Sequence, residues 1–259
     1  MTDQAVEGRR ARLRRETLRD LHVAALDEIR EHGAVDLSLR RVARRLGMSP
    51  AGLYRYVDSR EDLLTRLIAD AFHDLADHVF VSIGAADERH DLDVAPGRPP
   101  EIAGPERDVR DRLRAAALAY RDWAVDHPNE FGLLFGDPIP NYAAPPGGET
   151  VDAMARVGAG IGRPLIEAWE QGRLRVPAAW DDLVADPDLA ARFGPMEHLD
   201  GRTLSPAFAA GLLVLWGRLH GQVVLEVFGH HRWLLPDGCE ALYRAELATI
   251  DAELLTTPP

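Results

Sequence analysis

The sequence predicts an all-α protein in which an amino-terminal three-helix domain containing a helix-turn-helix precedes a helical-bundle body. Three observations carry this expectation. Apolar residues recur at helical spacing through most of the chain, and no stretch alternates with period two for long enough to make a half-buried strand. Positive charge is concentrated at the front: residues 1–56 hold 12 Arg against 8 acidic residues, a balance of +4, so the remainder of a chain of net charge -12 carries -16. The stretch 38–57, SLRRVARRLGMSPAGLYRYV, spaces two short apolar-faced helices around a tight turn.

The first helix is expected over about 12–33, with Leu18, Leu21, Ala25 and Ile29 on one face and Gly33 as its stop. Ser38 caps a short second helix whose Val42, Ala43 and Leu46 face inward. Gly47 ends it, because a residue without Cβ enters the left-handed region at little cost. Ser49 caps a third helix with Pro50 at its first position and Leu53 and Val57 turned to the core. Ser59 opens a longer helix reaching about Phe80, with Asp62 completing a near capping box. Residues 84–105 are rich in Gly, Pro and Asp and read as a linker. The next helix carries Val109, Leu113, Ala116, Ala117, Tyr120, Trp123 and Ala124 and closes at His127-Pro128. A short amphipathic piece spans 129–135, and breakers follow to Gly148. A helix covers about 149–174, residues 176–204 read as loop, and two helices over about 206–230 and 239–255 finish the chain. The expected domains are therefore 10–58 for the helix-turn-helix, 59–83 as a connecting helix, 84–105 as a linker and 106–256 as the body.

Composition narrows the class. Apolar residues make up 46% and charged residues 28% of the 259, with mean hydropathy -0.20, the balance of a soluble globular protein. No run of about 18 apolar residues occurs, so no membrane span is expected. The Arg-rich start lacks the apolar stretch of a secretory signal, and the cytoplasm is the expected location. All 30 basic residues are Arg. With the single cysteine Cys239, neither an internal disulfide nor a cysteine-based zinc site can form.

Chemistry is concentrated in 38–57. Ala43 sits where two helices must approach closely, Gly47 makes the turn four residues later, and Leu53 plugs the space six residues after that, the spacing by which a second helix is presented to a DNA major groove. The plainer reading is a helical hairpin inside a bundle. Against it, the outward positions hold Arg40, Arg41, Arg44, Arg45, Tyr54 and Arg55, which a hairpin core does not require. Small side chains at Ser49, Pro50, Ala51 and Gly52 let a backbone approach the duplex closely, and Pro50 or Ala51 can touch a thymine methyl.

Residues 10–70 resemble the DNA-binding domain of TetR-family transcriptional regulators, through Gly52-Leu53-Tyr54-x-x-Val57 in the recognition helix and the basic Arg60 at the start of the fourth helix. The family more often has Phe where Val57 stands. The resemblance implies a homodimer with two recognition helices in successive major grooves of a palindromic operator, about 34 Å apart. It also implies base readout by Arg40, for which guanine O6 and N7 suit a guanidinium, and phosphate contacts from Tyr54, Tyr56 and Arg60. Arg55 can read a base or hold a phosphate. Ser38 and Arg41 complete the candidate DNA-contacting set; for Arg41 and Arg44 a solvated surface is the competing reading.

The body resembles the Trp-His-Gly branch of the same family through Trp216-x3-His220-Gly221, with His127-Pro128, Phe131 and Phe135 similar as well. This implies a small-molecule pocket, for which Trp123, Phe131, Phe135, Trp169, Trp216 and His220 are the candidate lining, and a four-helix dimer bundle of the last two helices using faces such as those at Leu212 and Leu215. Ordinary core is the competing reading for the aromatics, and a capped hydrogen-bond network for His220. The expected function is a repressor released from double-stranded operator DNA by a hydrophobic or aromatic effector. The alternative keeps DNA binding and makes the body only a dimerisation or protein-interaction module.

No nucleophile motif appears, and neither an enzyme activity nor a cofactor is expected. Gly158-x-Gly160-x-Gly162 is similar to a phosphate loop but lacks a preceding strand, so close helix packing is preferred. Glu226, His230 and His231, and likewise His73, Asp77 and His78, lack a further ligand of fixed spacing, so no metal is expected.

Overall fold

The computed structural model describes residues 3–84, 108–193, 198–199 and 202–255, with side chains described from residue 12 and not for 198–203. The expected linker at 84–105 therefore falls almost wholly outside the described residues. The chain is built from α1 (Asp3–His32), α2 (Leu39–Arg45), α3 (Pro50–Leu53), α4 (Arg60–Ser82), α5 (Val109–Asp126), α6 (Pro128–Phe135), α7 (Glu149–Glu170), α8 (Ala178–Asp182), α9 (Pro187–Phe193), α10 (Pro206–Val227) and α11 (Glu240–Leu254). The stretch 176–204, expected to be loop, instead holds α8, α9 and a two-residue antiparallel hairpin, β1 (His198–Leu199) with β2 (Arg202–Thr203), paired His198 to Thr203 and Leu199 to Arg202. The prolines at 177 and 187 start helices there rather than excluding them, because a missing N–H costs nothing in a first turn.

Two compact units divide the chain. The first comprises residues 1–72 and 129–153, the second 73–128 and 154–259. In the first, Leu21, Ala25 and Ile29 of α1, Val42 and Ala43 of α2, Leu53, Val57, and Leu63, Leu64 and Leu67 of α4 are buried together as core. Phe72 meets Phe135 edge-on at 5.8 Å, Phe135 lies 5.1 Å from Phe131, and Thr65 Oγ1 shares a 3.1 Å hydrogen bond with the Tyr142 hydroxyl.

Buried charge also sets this unit. Glu28, on the core side of α1, is fully buried, yet its carboxylate is met by the Arg41 guanidinium of α2 and lies 3.7 Å from Arg45 Nε and 3.6 Å from His32 Nδ1. Arg45 also pairs with Glu31, and Arg41 donates to the Asp36 carbonyl. A buried carboxylate survives only when paired, so Glu28 fixes which side of α2 faces α1.

The second unit is organised around α5, whose residues 115–124 are buried on every side. Both α10 and α11 pack on it, and the Tyr243 hydroxyl of α11 donates to the Ala117 carbonyl at 3.0 Å. At Gly211 of α10 a Cβ would stand 2.0 Å from the Trp180 ring, so only glycine lets the indole of α8 lie against that helix. Gly160 of α7 is a milder case: its Cβ position is 3.1 Å from Val79 Cγ1 of α4, close helix packing at this one glycine, whereas a Cβ at Gly158 would meet nothing within 4 Å. Helix α10 has the length and mean hydropathy (1.4) of a membrane-crossing segment by composition alone, although Arg218, His220 and Gln222 interrupt its apolar run, and its Ala207, Phe208, Leu215, Leu219 and Val223 are buried as core.

Removing the Glu28 carboxylate leaves Arg41 and Arg45 without their shared partner. Glu28→Ala is expected to lower unfolding free energy by about 1–3 kcal/mol, read as an earlier urea midpoint; an unchanged midpoint contradicts the role given to this acid.

Candidate nucleic-acid interface

Local chemistry builds the interface from α2 and α3. Ser38 adopts extended backbone and its Oγ accepts from Arg41 N at 3.5 Å; Ser49 does the same for Gly52 N at 3.1 Å. Between the caps, Gly47 takes φ +63, Gly47 N donates to Arg44 O at 3.1 Å, and Met48 N reaches back to Ala43 O at 2.9 Å. These two bonds close α2 in the manner of a left-handed helix stop. The chain reverses, and Leu53 lands in the core with Ala43, both fully buried. Recognition helix α3 is shorter than expected: its α-helical part ends at Leu53, and Arg55 N and Tyr56 N bond three residues back, to Gly52 O at 3.4 Å and Leu53 O at 2.9 Å. This tightening satisfies carbonyls at a helix end and still delivers Val57 to the core.

The four arginines of α2 separate into two faces. Arg41 and Arg45, four apart, are drawn to Glu28 and Glu31 of α1. Arg40 and Arg44, also four apart, are exposed and make no ion pair with another described residue. Exposed with them are Ser49, Pro50, Ala51, Tyr54 and Arg55, while Gly52 is half-buried. Arg41, a candidate DNA contact from sequence, thus has Nε and Nη2 engaged inside the domain. Arg60 is engaged as well. Its Nε donates to Leu37 O at 3.1 Å and its Nη2 to Ala34 O at 2.8 Å and Val35 O at 2.7 Å, so it ties the start of α4 to the α1–α2 connection. Tyr56 is half-buried, with the Arg14 guanidinium 5.6 Å over its ring and Arg66 Nη1 donating to its carbonyl at 3.3 Å. Sequence reasoning missed Arg44 as the companion of Arg40, although the i, i+4 spacing carried the signal; it also missed the acid beneath Arg41 and Arg45.

The candidate ligand-binding aromatics fall into separate groups. Trp216 stacks on His220 at 4.8 Å and meets Tyr120 at 5.2 Å, and the Tyr120 hydroxyl lies 2.6 Å from His220 Nδ1. Trp169 stacks on Phe208 at 5.2 Å. Trp123 is buried, donates Nε1–H to Asp74 Oδ2 at 2.6 Å and stacks on His127. Phe131 and Phe135 belong to the first unit with Phe72. A cavity of about 300 Å3 lies at the α10–α11 connection, and none of the six candidates lines it. Leu215, expected on an outer face, is buried; the outward positions of α10 include Leu213, Val214, Gly217, Leu225 and Phe228. Among the described residues no group of three or more His, Cys, Asp or Glu is placed to hold a metal. Glu226 is taken by Arg121, with bonds of 2.5 and 2.8 Å.

A short capped helix, a left-handed glycine turn and a second helix flanked by exposed arginines define a helix-turn-helix protein. Residues 21–67 match the family model for bacterial regulatory proteins of the tetR family, and residues 113–250 match the tetracyclin repressor-like C-terminal domain. The chain belongs to the TetR family and is a DNA-binding transcriptional regulator. It is 34% identical over 204 residues to helix-turn-helix-type transcriptional regulators of Mycobacterium bovis and Mycobacterium tuberculosis, covering 79% of this chain and 77% of theirs. Among solved structures it is similar to the regulatory protein SCO4313, with TM-score 0.64 and 28% identity over 92% of this chain and 97% of that one. The fold is also that of the TetR-family regulator PfmR from Thermus thermophilus, at TM-score 0.50 and 18% identity over 89% and 96% of the two chains.

Burial lowers the His220 pKa, and burial lowers that of His78 against the opposing pull of Asp74. Both fold as the neutral ring, so their contribution is present above the unfolded histidine value near 6.5 and is lost as pH falls through the lower folded values. The urea midpoint should therefore drop between about pH 7 and pH 5, and less in the double variant His78→Gln/His220→Gln; an equal drop in both contradicts the assignment.

Proposed function

We propose that the protein is a repressor that holds a palindromic operator as a homodimer and is released by a small hydrophobic or aromatic effector. The observation that carries the DNA half is the division of α2: two arginines are held by α1, and Arg40 and Arg44 are left exposed beside Pro50, Ala51, Tyr54 and Arg55. In this reading Arg40 reads a base edge, Arg44, Tyr54 and Tyr56 hold phosphate, and Arg55 takes either role. Ser38 and Ser49 cap their helices and keep a hydroxyl hydrogen to donate to phosphate. Arg41 and Arg60 act mainly by fixing the domain, because their donors are already engaged. The DNA-binding domain is taken as 10–58, with 59–83 connecting it to a body of 106–256 in the Trp-His-Gly branch, on the strength of Trp216, His220 and Gly221.

Pairing is supported by the outward face of α10. Val214, Gly217, Gly221, Leu225 and Phe228 recur at intervals of three and four, and nothing lies within 4 Å of a Cβ built at either glycine. A second helix can approach closely there. Leu242 of α11 adds exposed apolar surface. An effector releases the operator only if it prefers a dimer in which the recognition helices are wrongly spaced, and DNA then weakens effector binding by the same factor. The stacked Trp216–His220–Tyr120 group and the Trp169–Phe208 pair provide the aromatic surfaces this reading assigns to the effector.

Operator titrations test the DNA half. With a duplex selected from random sequence, Arg40→Ala should lose about 1–3 kcal/mol at one base pair and keep its affinity for unselected DNA; equal loss on both removes the base-reading role. Leu225→Arg places a charge in the proposed pairing face. Sedimentation should show dimerisation weakened on the order of a hundredfold, and a dimer as tight as the wild type would move the interface elsewhere.

A further inference from the structure

The sole cysteine lines a cavity that neither the DNA-binding surface nor the proposed pairing face uses. It lies within the second unit, where the ends of α5 and α10 meet the connection between α10 and α11, and it holds about 300 Å3. Val125, Val227 and Leu235 give it apolar wall; Glu226, Asp237 and Cys239 give it polar surface. That volume suits a compact ligand at the lower end of small-molecule sites.

The sign of the occupant follows from how Glu226 is held. Its carboxylate accepts from Arg121 Nε at 2.8 Å, Arg121 Nη2 at 2.5 Å and Cys239 N at 2.8 Å. The same guanidinium also faces Asp122 at 3.0 Å and Glu240 at 3.7 Å through Nη1, and Glu240 takes Arg244 Nε at 2.9 Å as well, so two guanidiniums serve three carboxylates. Glu226 retains acceptor capacity, since a carboxylate offers about four lone-pair sites. The Cys239 thiol reports the resulting field: burial pushes its pKa up, and Glu226 pushes it further than Arg121 pulls it back. Asp237 is exposed and makes no ion pair with another described residue.

One cation, Arg232, and the imidazole of His231 also line the cavity. Arg232 is exposed, with its guanidinium carbon 3.5 Å from the Cβ position of Gly229, where water and salt screen it. Glu226 by contrast is desolvated, so what Arg121 leaves uncompensated of its charge is little screened. At longer range the excess of -16 on the chain beyond residue 56 favours cations.

We infer that this cavity binds a small organic cation, with an ammonium or amidinium-like head beside Glu226 and Asp237 and a compact apolar body against Val125, Val227 and Leu235. The inference concerns binding alone and stands separately from the repressor reading.

Calorimetric titration measures the site in the full-length protein, and labelling of the only thiol by a chromogenic disulfide, slow because Cys239 is buried, gives a second readout of cavity occupancy. Benzamidinium should slow that labelling saturably, and calorimetric titration should return the same dissociation constant, whereas benzoate and benzyl alcohol should not protect. Asp237→Asn should raise the half-protecting concentration up to about five-fold, and Leu235→Trp, which fills the cavity, should abolish protection while the thermal melt stays cooperative. Protection by benzoate equal to that by the cation, no heat and no protection with the cation, or a wild-type response from Leu235→Trp would each overturn the inference.

Discussion

The left-handed turn at Gly47 is the constraint on which the regulator depends. With φ at +63, it reverses the chain within two residues and brings Leu53 into the core beside Ala43. A side chain with Cβ is strained in that conformation, and a larger residue at Ala43 would separate the helices. Every exposed group of α3 takes its position from this turn, because α3 itself is one turn long and cannot hold a direction alone. The serine caps on either side stiffen the same feature by satisfying donors that short helices leave open.

A second constraint orients α2. Glu28 lies in the core stripe of α1 and pairs with Arg41 and Arg45 on one side of α2, Arg45 staying exposed, while Arg40 and Arg44 stand exposed without an ion pair among the described residues. Positive charge is thereby divided between arginines that hold the domain and those that the proposed function assigns to DNA. Arg60 belongs to the first group: three carbonyls of the α1–α2 connection occupy it. Affinity for a duplex then rests on fewer arginines than composition suggests.

The helix-turn-helix was legible in the sequence because its signals are local. Gly47, the caps at Ser38 and Ser49 and the apolar spacing of Val42, Ala43, Leu53 and Val57 each act within a few residues. Which arginines are free was not legible, since it depends on a carboxylate a dozen residues upstream. The body shows the same limit. Helical periodicity places α5, α7, α10 and α11 closely, but within the stretch 176–204 that reads as loop, Pro177 stands at the N-cap of α8 and Pro187 begins α9. The outward face of α10 was assigned to Leu215 because both sides of that helix are apolar, and periodicity alone could not say which side α5 covers. The cavity beside Cys239 had no sequence signal, because its walls come from α5, α10 and the connection that follows α10.

The division of the α2 arginines is tested most directly by the slope of log affinity against log salt for a random-sequence duplex, compared between Arg44→Ala and Arg45→Ala. The account predicts a slope reduced by about 1 for Arg44→Ala and a wild-type slope for Arg45→Ala, whose guanidinium faces α1. Equal slopes in the two variants, or a reduction confined to Arg45→Ala, would contradict it.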